Sequence, residues 1–330
     1  MSAALLLTAV LSALIQLRGD QLDGGTISGS AQVPLERASG GDTPVLSFVS
    51  NAGPVRLLLD TGASSTMVTP ALVQRLGLRA TPLPPERFAL AGGGLGCGSL
   101  KPARTRLPDL SLQAAGAAPA GLRLSGAEAL VLPVAGLPAG IDGVLGAPSL
   151  RLTALRIDPR GERVSFGAEA VQALRPDRQQ LPLRWHRGVP LVGLRTPFGL
   201  RSALADTGAE GLFLAPSLAR RLPPLSRAQE TRLVGFCGEQ TVQRQHFAEL
   251  GLAGVGGTEA GAASPTSIST QNQAEGLGAE QDNPPPVEGI VTDNPIFEQL
   301  GVEAIAGQEL LRSRIQLWRL DTTPPRLELW

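Results

Sequence analysis

The chain is poor in several residue types that carry common chemistry. Its 330 residues include no tyrosine, two cysteines, two histidines and a single lysine, Lys101. Neither His186 nor His246 has a second ligand at metal-binding spacing, so a metal enzyme is not indicated. Acidic and basic side chains number 29 each, and a chain without net charge does not attract nucleic acid. These absences argue against a metal enzyme and against a nucleic-acid-binding protein.

Glycine and proline, by contrast, are abundant. The chain has 40 glycines and 28 prolines and few long stretches of helix-forming residues, which favours many short strands joined by turns. Its length and its 42% of hydrophobic residues suffice for a large core divided over two domains. We therefore expect a mainly β protein.

The N-terminus forms an apolar run from Ala3 to Leu17, followed by Arg18 and Asp20. This pattern resembles a signal peptide or a short membrane anchor over residues 1–20, and it predicts an exported protein that is periplasmic, secreted or membrane-anchored. The run is shorter than the roughly 20 residues that span a bilayer as a helix. An N-terminal helix packed on the protein is the alternative.

Two tripeptides are the most informative motifs, Asp60-Thr61-Gly62 and Asp206-Thr207-Gly208. Each closes an apolar, strand-like run and is followed by alanine. A single triplet would indicate only a turn in which the Asp side chain bonds backbone amides. Two triplets in matched settings indicate a duplicated loop, with two aspartates that meet across a pseudo-twofold axis.

Further segments match in the same order in both halves. A strand, a turn and a second strand precede each aspartate, and an apolar-apolar-Gly element that ends at Gly146 or Gly307 follows it. We therefore divide the chain into an N-terminal lobe at 30–176 and a C-terminal lobe at 177–330. Residues 254–286 hold hardly any large apolar side chains, which predicts a disordered insertion in the second lobe.

These paired elements resemble those of the aspartic proteases, in a two-lobed, pepsin-like arrangement whose halves both carry a retropepsin-like Asp-Thr-Gly-Ala motif. The resemblance implies a bilobal acid-protease fold in which two pseudo-twofold-related β-barrel lobes have the active-site cleft between them. It also implies an endopeptidase that acts on a peptide or protein substrate and needs neither a cofactor nor a metal. Because both lobes are in one chain, we expect a monomer.

The resemblance assigns the catalytic roles to Asp60 and Asp206, which would share one proton because two adjacent carboxylates cannot both ionise. It assigns the support of the two loops to their neighbours Thr61, Gly62, Thr207 and Gly208. Alanine follows each motif where digestive members carry a hydroxyl donor, and the loss of that donor raises the pKa values of the pair. We therefore predict a weakly acidic pH optimum. Glu210 adds a carboxylate beside the second motif only. A carboxylate near the pair can perturb the shared proton, which gives some support to the non-cleaving alternative below.

We expect a β-hairpin flap in each half, at 88–103 and at 232–243, to close over the bound substrate. These two segments are called the covers. The candidate substrate-binding residues on these flaps are Gly94, Leu95, Gly96, Cys97, Phe236 and Cys237. The two cysteines either form a disulfide over the cleft or remain free as small apolar side chains. We favour free cysteines, because matching positions do not establish contact.

Two further interpretations stay open. A protein with this fold can bind peptides or partners without cleaving them, and residues 18–42 are long enough to occupy the cleft as a propeptide. A serine hydrolase is not indicated, because Thr66 stands where the nucleophile elbow requires glycine.

Overall fold

The structure is a computed structural model, and it describes residues 14–17, 21–94, 96–113, 119–172, 177–253 and 285–330. Most of the predicted N-terminal signal (1–13 and 18–20) and most of the predicted insertion (254–284) lie outside the described residues. Within these described ranges, no helix is long and apolar enough to cross a membrane. The signal or anchor, the insertion and the lobe boundaries therefore stay predictions.

The described chain is mainly β, as predicted. The strands before residue 177 are Leu14–Leu17, Thr26–Gly29, Ala31–Pro34, Glu36–Arg37, Pro44–Ser50, Gly53–Asp60, Met67–Val68, Thr81–Pro82, Phe88–Ala91, Ala103–Arg106, Leu110–Gln113, Pro119–Ser125, Glu128–Val131, Gly143–Gly146, Ala154–Asp158 and Arg163–Phe166. The later strands are Gln179–Pro182, Arg184–His186, Val189–Thr196, Gly199–Ala205, Leu212–Leu214, Gln229–Gly235, Gly238–Phe247, Gly251–Leu252, Val287–Val291, Ala304–Ala306, Gln316–Arg319 and Arg326–Leu329. The α-helices are Pro70–Arg75, Ala147–Leu150, Pro216–Ala219, Pro295–Leu300 and Gln308–Leu311, and short 3-10 helices lie at Pro85–Arg87, Cys97–Ser99 and Gly167–Val171.

The central strands of the two halves are arranged in the same order. In the first half the order is Pro44–Ser50, Gly53–Asp60, Gly143–Gly146, Met67–Val68 and Glu128–Val131. In the second half it is Val189–Thr196, Gly199–Ala205, Ala304–Ala306, Leu212–Leu214 and Val287–Val291. Successive pairs are antiparallel, parallel, antiparallel and parallel in both sets. The duplication that the sequence motifs indicated is therefore a duplication of sheet topology.

A six-stranded sheet joins the halves, and each half supplies three of its strands. At its centre Ala154–Asp158 of the first half pairs antiparallel with Gln316–Arg319 of the second, so that Leu155 lies opposite Trp318. Both side chains are fully buried. The apolar core therefore continues from one half into the other.

The strand that leads to the first aspartate shows why this segment is so apolar. Gly53–Asp60 pairs with Pro44–Ser50 on one side and with Gly143–Gly146 on the other. Leu57, Leu58 and Leu59 are all 0% exposed. A strand buried on both faces reads as a continuous hydrophobic run, because neither face meets water.

The second predicted flap is a hairpin. Strands Gln229–Gly235 and Gly238–Phe247 pair antiparallel along their length, and Phe236 and Cys237 form the tip between them. This confirms the predicted hairpin in the second half, and its role as a substrate cover stays a prediction.

The prediction of a hairpin for the first flap was wrong. Only Thr81–Pro82 pairs with the returning strand Ala103–Arg106. Strand Phe88–Ala91 pairs instead with Leu14–Leu17 from the N-terminal segment. Proline has no N–H for a strand ladder, and such donors are missing at four positions in or beside this loop: Pro82, Pro84, Pro85 and Pro102.

Candidate active site

The two aspartates lie at equivalent places in the duplicated sheets. Asp60 is the last residue of Gly53–Asp60, and Asp206 directly follows Gly199–Ala205. The exposed fraction is 1% for Asp60 and 0% for Asp206. The fold therefore brings two carboxyl groups together in a site closed to solvent.

Reciprocal hydrogen bonds hold the two loops against each other. The Thr61 amide donates to Thr207 Oγ1 at 3.0 Å, and the Thr207 amide donates to Thr61 Oγ1 at 3.0 Å. Each hydroxyl then donates across the junction, Thr61 Oγ1 to the carbonyl of Ala205 at 2.9 Å and Thr207 Oγ1 to that of Leu59 at 2.8 Å. All four bonds are buried, so the relative position of the aspartates is fixed by both halves at once.

Backbone amides of each loop face its own aspartate. Gly62 N and Ala63 N donate to Asp60 Oδ1 at 2.8 and 2.9 Å, and Gly208 N donates to Asp206 Oδ1 at 2.7 Å. A Cβ at Gly208 would overlap the Asp60 carboxyl group. Glycine at 208 is therefore required by the approach of the other aspartate.

Burial shifts the protonation of both carboxyl groups. Loss of hydration raises the pKa of Asp60 from 3.8 to about 6, and the interactions with Asp206, Gly62 and Ala63 oppose part of that rise. Burial also raises the pKa of Asp206 well above its usual range, and the charge of Asp60 raises it further. Because two adjacent buried carboxyl groups do not both ionise, the pair shares a single proton above about pH 6.

The remaining hydrogen-bonding capacity of the pair lies between its two carboxyl groups. Among the described residues, no amide or hydroxyl group donates to the buried Asp206 Oδ2, and the Asp206 carboxyl group interacts with that of Asp60. One carboxyl group of the pair can therefore give the shared proton to a reacting group, while the other accepts a proton.

The apolar-apolar-Gly elements support the loops from behind, although their glycines were not among the predicted site residues. A Cβ at Gly146 would overlap the backbone of Ser65, and one at Gly307 would overlap the carbonyl of Ala209. The next residue, Gln308, donates from its side chain to the carbonyl of Thr207 at 2.7 Å. Gln308 was missed, and its only sequence signal is its place directly after the matched Gly307.

Glu210, the carboxylate beside the second motif, binds residues of the first half. Its carboxylate accepts hydrogen bonds from the amides of Asp42 at 2.7 Å and Thr43 at 2.9 Å, and also from the Thr43 hydroxyl. Thr43 belongs to the first half, so Glu210 links the second motif to the start of the first sheet. The sequence carried no signal for this pairing of residues 167 positions apart.

The two predicted covers are joined covalently. Cys97 and Cys237 form a disulfide with their Cα atoms 4.8 Å apart, so the preference for free cysteines was wrong. Docking of the two halves places both thiols at the same point, which matching sequence positions alone could not establish. Gly94 and Gly96 lie on the same cover as Cys97, whereas Leu95 lies outside the described residues.

Fold and site together define a class of protein with a duplicated β topology and paired, buried aspartates at its junction, as in the aspartic proteases. Residues 48–149 match the family model described as aspartyl protease, which confirms the resemblance in the first half. No curated protein sequence matches this chain.

Two solved structures from plants are similar to this chain. Basic 7S globulin from soybean is 12% identical with a TM-score of 0.47, and the likeness covers 91% of this chain and 94% of that chain. Conglutin gamma from lupine seeds, described as a unique basic 7S globulin, is 12% identical with a TM-score of 0.48 and the same coverage. No conclusion about activity follows from these two likenesses.

Proposed function

We propose that the protein is an aspartic-type endopeptidase in which Asp60 and Asp206 activate water for peptide hydrolysis. The observation that carries this proposal is a pair of buried carboxyl groups on two loops that hydrogen bonds hold together. Burial raises the pKa of Asp60 to about 6 and that of Asp206 well above its usual range. The match of residues 48–149 to aspartyl proteases supports a protease-type function.

The two aspartates would divide the proton transfers between them. The Asp60 carboxylate takes a proton from water as the water oxygen attacks the peptide carbonyl carbon, and Asp206 gives its proton to the carbonyl oxygen. Collapse of the resulting gem-diol breaks the C–N bond. Asp60 then passes its proton to the amine, and a hydroxyl of the gem-diol returns a proton to Asp206. The pair ends in its starting protonation state.

The substrate class follows from the resemblance and remains part of the proposal. An extended peptide with hydrophobic residues around the cut bond suits a site whose surroundings are apolar, since the alanines after both motifs belong to buried apolar clusters. We also propose that the protein acts as an exported or membrane-anchored monomer, in line with its N-terminal apolar run.

Isosteric substitution of each aspartate tests the proposal. The purified protein should cleave members of a diverse peptide library, and a transition-state-mimicking aspartic-protease inhibitor should block that cleavage. Asp60→Asn and Asp206→Asn should each abolish it while thermal unfolding shows an intact fold. Asp109→Asn is the matched control, because Asp109 is a surface carboxylate paired with Arg123. Binding of peptides without inhibitor-sensitive cleavage at any pH would support the binding-only alternative.

A further inference from the structure

The disulfide joins segments that come from different halves of the molecule. Cys97 lies on the cover of the first half, shortly after Phe88–Ala91. Cys237 lies at the tip of the hairpin of the second half. The bond spans 140 residues of sequence. The disulfide therefore joins the two covers to each other and does not close a short local loop.

The covers also interlock around the bridge. Cys237 N donates to the carbonyl of Gly93 at 2.7 Å, and Gly96 N donates to the carbonyl of Cys237 at 2.8 Å. Backbone approaches backbone so closely that a Cβ at Gly94 would come within 2.6 Å of Gly238 N. The tips are thus in contact along several residues, and the disulfide makes that contact permanent.

Each cover packs into the apolar cluster of the opposite half, beside the catalytic loops. Phe236 and Cys237 of the second half share a cluster with Ala63, which directly follows the first motif. Ala91 of the first half shares a cluster with Ala209, which follows the second motif. This packing and the near-zero exposure of both aspartates are what covers that lie over the aspartate pair would produce.

We propose that the Cys97–Cys237 bridge makes the site accessible only to peptides with a free end, which must be threaded beneath the joined covers. Tethered covers can lift together, but they cannot part. A chain segment without a free end, such as a cyclic peptide, therefore cannot reach the aspartates from above. Reduction of the bridge allows the covers to separate and admits such segments. This inference rests on the proposed peptidase function.

The chemistry of opening is thiol–disulfide exchange with a dithiol. A thiolate of the dithiol attacks one sulfur of the bridge, and its second thiol resolves the mixed disulfide. Two electrons and two protons pass from the dithiol to the bridge, leaving two thiols in the protein and a disulfide in the reagent. Cys97 is only half-buried whereas Cys237 is buried, so the sulfur of Cys97 is the accessible point of attack.

A linear peptide and its head-to-tail cyclised form, with the same cysteine-free sequence, provide the test. The full-length oxidised protein should cleave the linear peptide, with kcat/KM for the cyclic peptide lower by about 100-fold or more. Treatment with dithiothreitol should raise the cyclic-to-linear ratio by at least about 10-fold. The double variant Cys97→Ser/Cys237→Ser should show the raised ratio without reductant and should not respond to it.

Every other result counts against the inference. Equal cleavage of both peptides by the oxidised protein would show that the bridge does not restrict access. Cleavage of the linear peptide only after reduction would show a complete lock and would overturn the threading model. If no form of the protein cleaves either peptide, the proposed peptidase function fails, and the inference fails with it. Thermal unfolding of the double variant establishes that it is folded.

Discussion

At the scale of single residues, the two aspartates act as one acid–base pair. Backbone amides donate to both carboxyl groups and favour their charged forms. Burial opposes ionisation and raises the pKa of both, and the charge of one opposes ionisation of the other. The pair can therefore supply both the base and the acid of the proposed reaction.

The raised pKa of Asp60 predicts the acid side of the pH profile. Below about pH 6 the pair takes up a second proton and loses its base, so kcat/KM should fall as the pH drops through this value. The expected optimum lies above the strongly acidic range, in agreement with the alanines after both motifs. A profile of kcat/KM against pH with maximal activity in strong acid would contradict it.

The raised pKa of Asp60 also makes the stability of the folded protein depend on pH. Because burial raises the folded-state pKa of Asp60 above its unfolded value, its contribution to stability is fully present below the unfolded pKa. That contribution is lost as the pH rises through about 6. Asp60→Asn should therefore unfold at the same or a higher temperature than the parent protein at neutral pH. A loss of activity in this variant would then not reflect unfolding.

At the scale of elements, the Thr61 and Thr207 hydroxyls join two loops that belong to different sheets. Each hydroxyl accepts one amide and donates to one carbonyl across the junction. Removal of a hydroxyl leaves a buried donor and a buried acceptor unpaired. The loops are therefore positioned by hydrogen bonds and not by packing alone.

Thr61→Val and Thr207→Val test this cross-link, because valine keeps the shape and removes the hydroxyl. Each variant should lower the free energy of unfolding by about 1–3 kcal/mol and should also lower kcat/KM, since the aspartates lose their fixed separation. Denaturant unfolding and peptide cleavage measure the two effects.

Thr105→Val is the matched control for this pair. Thr105 is a buried threonine whose hydroxyl donates to the carbonyl of Arg79 at 2.8 Å, outside the catalytic loops. The Thr105→Val variant should be less stable than the parent protein and should have the same kcat/KM and the same pH profile. If Thr105→Val lowers kcat/KM to the same degree, Thr61 and Thr207 have no specific role in positioning the aspartates.

At the scale of the whole molecule, a shared sheet and a disulfide both join the two halves. The six-stranded sheet mixes three strands from each half, and the disulfide joins the two covers. Glu210 adds a third link through the amides of Asp42 and Thr43. We therefore expect the described halves to unfold together.

Loss of the disulfide should destabilise the folded protein, because the unfolded chain gains conformational freedom. A disulfide that closes a loop of 140 residues restricts the unfolded state strongly, and its removal costs about 2–5 kcal/mol. Cys97→Ser/Cys237→Ser should lower the free energy of unfolding by this amount, as measured with denaturant. Reduced parent protein should agree with the variant. An unchanged midpoint would show that the halves are held by the sheet alone.

Sequence reasoning was most successful where structure depends on local pattern. Apolar runs and turns that contain Gly or Pro predict the strand, turn and strand before each aspartate. The prediction failed at the first cover, where the strand Phe88–Ala91 takes its partner from Leu14–Leu17 instead of from Ala103–Arg106. The choice between distant partners depends on the assembled sheet and leaves no local pattern.

The sequence by itself determined the mainly β class, the duplicated order of elements and the two loops that carry Asp60 and Asp206. Only the tertiary structure decided that Cys97 meets Cys237, that Glu210 binds the loop at Thr43, and that burial raises the pKa of both aspartates. The reason is physical. Backbone preference and apolar periodicity act between neighbours in the chain, whereas these contacts join residues more than 100 positions apart and arise only when the halves dock.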